Sequence, residues 1–332
     1  MPERALEVSA ALERPCDLIV AVVGPTASGK SDLALDLAER LPDVMGAQGT
    51  GEIVSADALQ LYRGMDIGTA KTPVAQRRGI PHHQIDVLDL IEEASVARYQ
   101  KEARSDIAAI HSRGAVAVVA GGSGLYQRAL LDVIDFPGTD PSIRAALEAE
   151  GAGPMGPRGL HARLAALDPA SAARIDPHNA RRIIRALEVI EITGRPYSSH
   201  MPAKTFIRPA VMIAIRHRLD ALDERIRIRI RRMLDDGLID ETRRLIDRGL
   251  RDAKTARMAT GYAQAISVIN EEMSVDEAAE SIGVATRQLA RRQIKWLRPD
   301  HRVHWIDAAD EEHMTSRAID IVQRAIEAYS TD

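Results

Sequence analysis

The chain has 332 residues, enough for one large domain or two modest ones that each bury a core. Its 45% hydrophobic and 28% charged residues give the texture of a soluble globular protein, and no apolar run approaches the roughly 18 residues of a membrane span. A net charge of −4, one cysteine and 3% aromatic residues argue against a broadly basic nucleic-acid binder, a disulfide scaffold and a surface rich in stacking rings.

Residues 1–16 carry Glu3, Glu7 and Glu13 where a signal peptide needs an apolar stretch, so they read as a flexible tail on a cytoplasmic protein. Leu18-Ile-Val-Ala-Val-Val23 reads as a first strand buried on both faces. Leu33, Leu37 and Leu41 mark one stripe of a helix over 31–41, which Pro42 is expected to stop. Residues 43–51 read as a flexible loop, and Glu52-Ile-Val-Ser55 as a short strand ending at Ala56-Asp57. The spacing predicts a helix over 96–113 and a buried strand over 115–120 that breaks at Gly121-Gly122. Between residues 135 and 209 the texture changes, with prolines at 137, 141, 154, 157, 169, 177, 196 and 202 and no convincing buried strand. That stretch reads as a small helical insertion. Ala210-Val-Met-Ile-Ala-Ile215 returns to strand texture, 222–250 and 275–297 are helical, and Val303-His-Trp-Ile306 closes the sheet. Arg225-Ile-Arg-Ile-Arg-Ile-Arg-Arg232 alternates like an edge strand, but Leu222, Ile226, Ile230 and Leu234 repeat every four residues, which favours a helix.

The predicted fold class is α/β: a P-loop-type parallel sheet with helices on both faces, plus a small all-helical insertion domain. The expected division is a tail over 1–16, core over 17–135, insertion over 136–209, core again over 210–310 and a C-terminal helix over 311–332.

Gly24-Pro25-Thr26-Ala27-Ser28-Gly29-Lys30-Ser31 fits G-x-x-x-x-G-K-S/T, with a buried strand before it and a helix after it. Glycines let the amides form an anion nest, the helix start adds positive potential, Lys30 supplies a charge and the Ser31 hydroxyl is a Mg²⁺ ligand. Such a loop suits a di- or triphosphate without naming the reaction. A P-loop NTPase would show an apolar strand ending in an Asp for the metal, whereas 115–120 runs into Gly121-Gly122-Ser123. The acid that ends a strand is Asp57, and the carboxyl ends of strands gather the ligands of an open parallel sheet.

These residues resemble the tRNA dimethylallyltransferases, also called tRNA isopentenyltransferases. The matching segments are 24–31, Ser55-Ala-Asp-Ala-Leu-Gln60, Tyr62-Arg-Gly-Met-Asp-Ile-Gly-Thr-Ala-Lys71, Pro81-His-His-Gln-Ile-Asp86 and Gly121-Gly-Ser-Gly-Leu-Tyr126. Arg181-Arg-Ile-Ile-Arg-Ala-Leu-Glu188, Gly261-Tyr262 and Thr286-Arg-Gln-Leu-Ala-Arg-Arg-Gln293 follow in the family's order. The resemblance implies transfer of a dimethylallyl group from dimethylallyl diphosphate to the exocyclic amine of the adenosine just 3′ of the anticodon. It implies that residues 24–31 hold the diphosphate with Mg²⁺ on Ser31, and that Asp57 is the base. Ser123 stands where the family usually has Thr, and Arg225 and Arg229 match its arginine pair. Residues implied to touch the tRNA anticodon stem-loop are Asp57, Ala58, Leu59, Gln60, Ser123, Arg144, Arg181, Arg182, Ile183, Ile184 and Arg185. Residues 286–295 form a second basic helix suited to phosphates. A monomer without membrane attachment is expected.

Rival readings are a P-loop kinase for a small metabolite, a prenyltransferase for free adenine nucleotides, and a non-catalytic tRNA-binding protein. His82 and His83 are adjacent, point apart and have no third ligand nearby, which favours a structural or loop role. Cys16 reads as inert, and Trp296 and Trp305 are assigned no function.

Overall fold

The computed structural model describes residues 11–200 and 204–331. They divide into two compact units: unit 1 comprises the described parts of 1–131 and 206–332, and unit 2 covers 132–205. The expected insertion over 136–209 is thus offset from unit 2 by four residues at each end.

Unit 1 is built on a six-stranded sheet: β1 (Ile19–Val23), β2 (Gly51–Ser55), β3 (His82–His83), β4 (Val116–Gly121), β5 (Ala210–Arg216) and β6 (Val303–Asp307), in the order β3-β2-β4-β1-β5-β6. Every pairing is parallel. β1 and β2 are buried along their whole length, so β1 reads as an unbroken apolar run, while the one charged residue of β2, Glu52, is paired with Arg113 and His83. β3 is a two-residue edge strand where the sequence suggested a loop.

The helices are α1 (Lys30–Val44), α2 (Val96–Ser112), α3 (Gly124–Leu131), α4 (Pro141–Gly151), α5 (Gly156–Leu167), α6 (Pro169–Ala172) and α7 (Ala180–Thr193). They continue with α8 (Leu219–Asp235), α9 (Leu238–Asp247), α10 (Tyr262–Ile269), α11 (Val275–Leu297) and α12 (Met314–Thr331). Leu33, Leu37 and Leu41 of α1 pack with Ala318, Ile321 and Val322 of α12 over Val20, Val22, Val118 and Ile213. The alternate residues Ala21, Val23, Ala117 and Val119 point to the opposite face and are also buried.

Several expectations are corrected. α1 runs through Pro42 to Val44, because a proline in the last turn removes one ladder bond, to the Ala38 carbonyl, without blocking the turn that follows. That carbonyl lies against Gly51, where a Cβ would come within 2.0 Å of it. The 222–250 helix is two helices, α8 and α9, parted by Gly237 at φ 94°. Of the expected tail, residues 1–10 lie outside the described residues, whereas Pro15–Asp17 form a 3₁₀ turn with Cys16 buried against the core. Residues 225–232 are helical, as the four-residue repeat indicated.

Unit 2 is a helical bundle, α4 to α7, around Leu147, Leu160, Leu164, Ile183, Ile184 and Leu187. Asp140, Asp168 and Asn179 cap α4, α6 and α7 with side-chain acceptors for first-turn N–H groups.

Candidate active site

Three neighbouring strands, β2, β4 and β1, end side by side, with Val23 in register with Gly121 and Ser55 with Ala120. Their carboxyl ends release the loops 24–29, 56–60 and 122–123, so three segments distant in sequence meet at one edge of the sheet. They line a cavity of about 350 Å³ whose walls include Thr26, Lys30, Ser31, Asp57, Ser123, Arg229 and Gln293.

The loop after β1 turns through Ala27 at φ 61° and Gly29 at φ 87°, conformations in which a Cβ is costly for Ala and absent for Gly, and α1 then starts at Lys30. Its outer side is fastened by Arg225 Nε donating to the Ala27 carbonyl at 2.8 Å and by His217 Nε2 donating to the Ser28 carbonyl at 2.9 Å. The Ser28 hydroxyl is buried without a hydrogen-bond partner among the described residues, 3.3 Å from where a Gly24 Cβ would lie. Lys30 Nζ reaches the Pro25 carbonyl at 3.4 Å, and Arg229 Nη1 donates to Thr26 Oγ1 at 3.2 Å. Loss of solvation pushes the Lys30 ammonium down to about 8, the Arg229 charge adds to this, and Asp57 opposes it. Burial also lowers the Arg229 guanidinium. Two cations held close together with little water favour an anion between them.

Asp57 Oδ1 accepts from Leu59 N at 3.0 Å, which fixes the turn after β2 and leaves the carboxylate on the cavity wall. Ser123 Oγ accepts a long 3.5 Å bond from Ala58 N, tying the β4 loop to the β2 loop. Ser55 Oγ donates to Gln60 Oε1 at 2.9 Å, and Gln60 Nε2 donates to the Thr69 carbonyl at 3.3 Å. Gln293 of α11 bridges the loops after β1 and β4: its Oε1 accepts from Thr26 N at 2.9 Å and its Nε2 donates to the Gly122 carbonyl at 2.8 Å.

The family model described as IPP transferase matches residues 60–300 of this chain. A tRNA dimethylallyltransferase of Kineococcus radiotolerans is 50% identical over 309 residues, covering 93% of this chain and 95% of that protein. The full-length tRNA isopentenylpyrophosphate transferase of Bacillus halodurans superposes with a TM-score of 0.68 at 37% identity, covering 95% of this chain and 98% of that one. A eukaryotic dimethylallyltransferase solved acting on tRNA superposes with a TM-score of 0.79 at 25% identity, covering 93% and 79%. The chain belongs to the tRNA dimethylallyltransferase family.

Among the residues that the sequence assigned to this family's chemistry, Thr26, Lys30, Ser31, Asp57, Ala58, Leu59, Gln60, Ser123 and Arg229 come together on the cavity wall. Arg225 does not line it: it is exposed, and its Nε donates to the Ala27 carbonyl of the loop. Gly24, Pro25, Ala27, Ser28 and Gly29 shape the loop rather than line the cavity. In unit 2, Ile183 and Ile184 are in the hydrophobic core, with side chains closed to RNA because α7 turns that face inward. Arg144 and Arg185 both pair with the fully buried Glu188, and Arg185 also donates to the Pro137 and Gly138 carbonyls. Burial pushes the Glu188 carboxyl up, and the bonds from these arginines more than reverse this. Arg181 and Arg182 are exposed. His83 Nε2 meets Glu52 at 2.7 Å, and His82 Nδ1 meets the Ile80 carbonyl at 2.8 Å.

Two contributors carried no assigned role in the sequence reading. Gln293 ends a segment that matches the family, but its bridging of two loops left no local signal, since its two bonds reach across more than 170 residues of chain. Glu241, buried in α9, accepts from Tyr262 Oη at 2.6 Å and from the N–H groups of Asp66, Ile67 and Gly68. It thereby sets the segment whose Gly68, Thr69 and Ala70 complete the cavity wall. Within the same segment, Lys71 Nζ is held by Asp66, Asp86 and the Tyr62 carbonyl, so the 62–71 run is a folded brace.

Proposed function

We propose that this chain transfers the dimethylallyl group of dimethylallyl diphosphate to N6 of the adenosine 3′-adjacent to the anticodon in tRNA, releasing diphosphate. What carries the reading is the placing of an anion cradle and a carboxylate on facing loops of one cavity, in a member of this family. The first N–H groups of α1, at Lys30 and Ser31, with the Lys30 ammonium and Arg229, take up charge on the departing diphosphate as the carbon–oxygen bond breaks. Asp57 accepts the N6 proton as the nitrogen–carbon bond forms, which matters because the amine lone pair is conjugated with the ring. The Ser123 hydroxyl holds the turn that carries Asp57 and stands within the same cavity.

A Mg²⁺ ion would be held by the Ser31 hydroxyl and the diphosphate oxygens, and when bound it neutralises leaving-group charge. The donors fit such an ion. Ser31 lines the cavity beside Lys30 and Thr26, where its hydroxyl would supply one oxygen ligand and the substrate phosphates others, as Mg²⁺ bound with a phosphate substrate requires. On the RNA side, Asp57 to Gln60 meet the extruded base, and Arg144, Arg181, Arg182 and Arg185 supply positive charge on unit 2. We propose a monomer, working in the cytoplasm. Among the described residues no helix is long and apolar enough to cross a membrane.

The test is incubation with labelled dimethylallyl diphosphate and bulk tRNA, followed by nuclease digestion. Label on N6 of a single adenosine is the expected result. Label-free RNA, with phosphate passing from ATP to a small metabolite, would replace this reading with the kinase.

A further inference from the structure

We propose that the exposed ring of Trp296 is a stacking platform for an unpaired RNA base next to the reacting adenosine; the inference rests on the function proposed above. The chain has only two tryptophans, and this one is 37% exposed near the end of α11. Leu289 and Gln293 line the cavity, and Trp296 follows them at seven and three residues, on the same helix face. The indole is outside the cavity lining, on the side of α11 that carries two of its residues.

α3 meets the same ring. Gly124 directly follows the cavity residue Ser123, and a Cβ on it would stand 2.6–2.7 Å from three ring atoms of Trp296. The backbone that carries the Ser123 loop is thus seated against the indole. Arg128, one turn along, places its guanidinium 5.7 Å from the ring centroid. Leu125 at 52% exposure and Leu289 at 36% extend the apolar surface, while Arg292 and Lys295 are exposed on the same helix. An apolar ring with one guanidinium against it and further cations on its helix suits a nucleobase with its phosphates, because each base offers a π-face and each linkage a negative charge. An adenosine drawn out of an anticodon loop leaves neighbours unstacked, and a ring beside the cavity gives one of them a new partner.

The test uses a Trp305→Phe background, in which Trp296 is the sole indole. Titration with an anticodon stem-loop RNA should quench its fluorescence, and one abasic substitution beside the target adenosine should abolish the quenching. That same substitution should raise KM for the RNA by about tenfold or more. Trp296→Leu should copy the KM change with intact RNA and add nothing with the abasic RNA, while Trp296→Phe restores most of the affinity. KM for dimethylallyl diphosphate should stay unchanged throughout. Quenching indifferent to every abasic position, or Trp296→Leu with a wild-type KM for RNA, would overturn the proposal. So would quenching that follows protein concentration without RNA, which would mean that a second copy covers the ring. Should Trp296→Leu fail to fold, the abasic series and Trp296→Phe still decide. A protein that binds the stem-loop but transfers nothing sinks the proposed function and leaves the quenching to judge the platform.

Discussion

Asp57 does two things with one carboxylate, since Oδ1 closes a turn onto Leu59 N while the group faces the cavity. The two roles separate on substitution. Asp57→Asn keeps the turn acceptor and the shape but cannot take a proton, so the transfer rate should fall by about a hundredfold or more while tRNA binding in a filter assay is unchanged. A near-normal rate would reduce Asp57 to a turn residue. Lys30 gives a pH signature. Its ammonium is lowered to about 8 in the free protein, and a bound diphosphate favours the charged form. Affinity for dimethylallyl diphosphate should be level below that pH and fall by up to about tenfold per pH unit above it, by linkage. Lys30→Gln should bind weakly with no such slope, and calorimetry across the pH range distinguishes the two profiles.

At the scale of elements, the close approach of α1 to β2 depends on a missing side chain. A Cβ on Gly51 would stand 2.0 Å from the Ala38 carbonyl, so Gly51→Ala must push helix from strand. It should cost about 1–3 kcal/mol in urea unfolding. The contact between α9 and α10 is polar instead. Glu241→Gln puts an amide NH₂ toward the N–H groups of residues 66–68 and should cost about 1–3 kcal/mol, with a lower transfer rate because Gly68 to Ala70 form cavity wall. Tyr262→Phe removes only the hydroxyl that Glu241 and Gly68 share and should cost less in the same unfolding assay. Tyr262 also shows why a run such as 62–71 reads strongly in sequence without disclosing its role. Gly68 is required because its Cβ would fall 2.4 Å from the Tyr262 ring, a contact made across 194 residues.

At the scale of the whole molecule, the chain leaves unit 1 after Leu131 and re-enters it at Phe206, and Ile207 N donates to the Leu131 carbonyl at 2.8 Å. The two crossing points are therefore adjacent. Replacing 132–205 by a short Gly-Ser linker should leave a folded unit that gains melting temperature with dimethylallyl diphosphate but no longer modifies tRNA. Melting and transfer assays on the same preparation check both halves of that expectation. Local pattern was enough to determine the strand order of events along the chain: apolar runs at 18–23 and 210–215, the anion loop between strand and helix, and an acid at a strand end all follow from neighbours within about one turn or one strand. Helix limits set by a single residue were less legible, because Pro42 in a last turn and Gly237 between two amphipathic stretches act through backbone geometry rather than hydropathy. Which arginine faces the cavity, that Ile183 and Ile184 point into a core, and that Gln293 and Glu241 hold the site together were decided only by the tertiary structure. Those facts depend on contacts between residues far apart in the chain, and a one-dimensional pattern carries no record of which distant partner a side chain will meet.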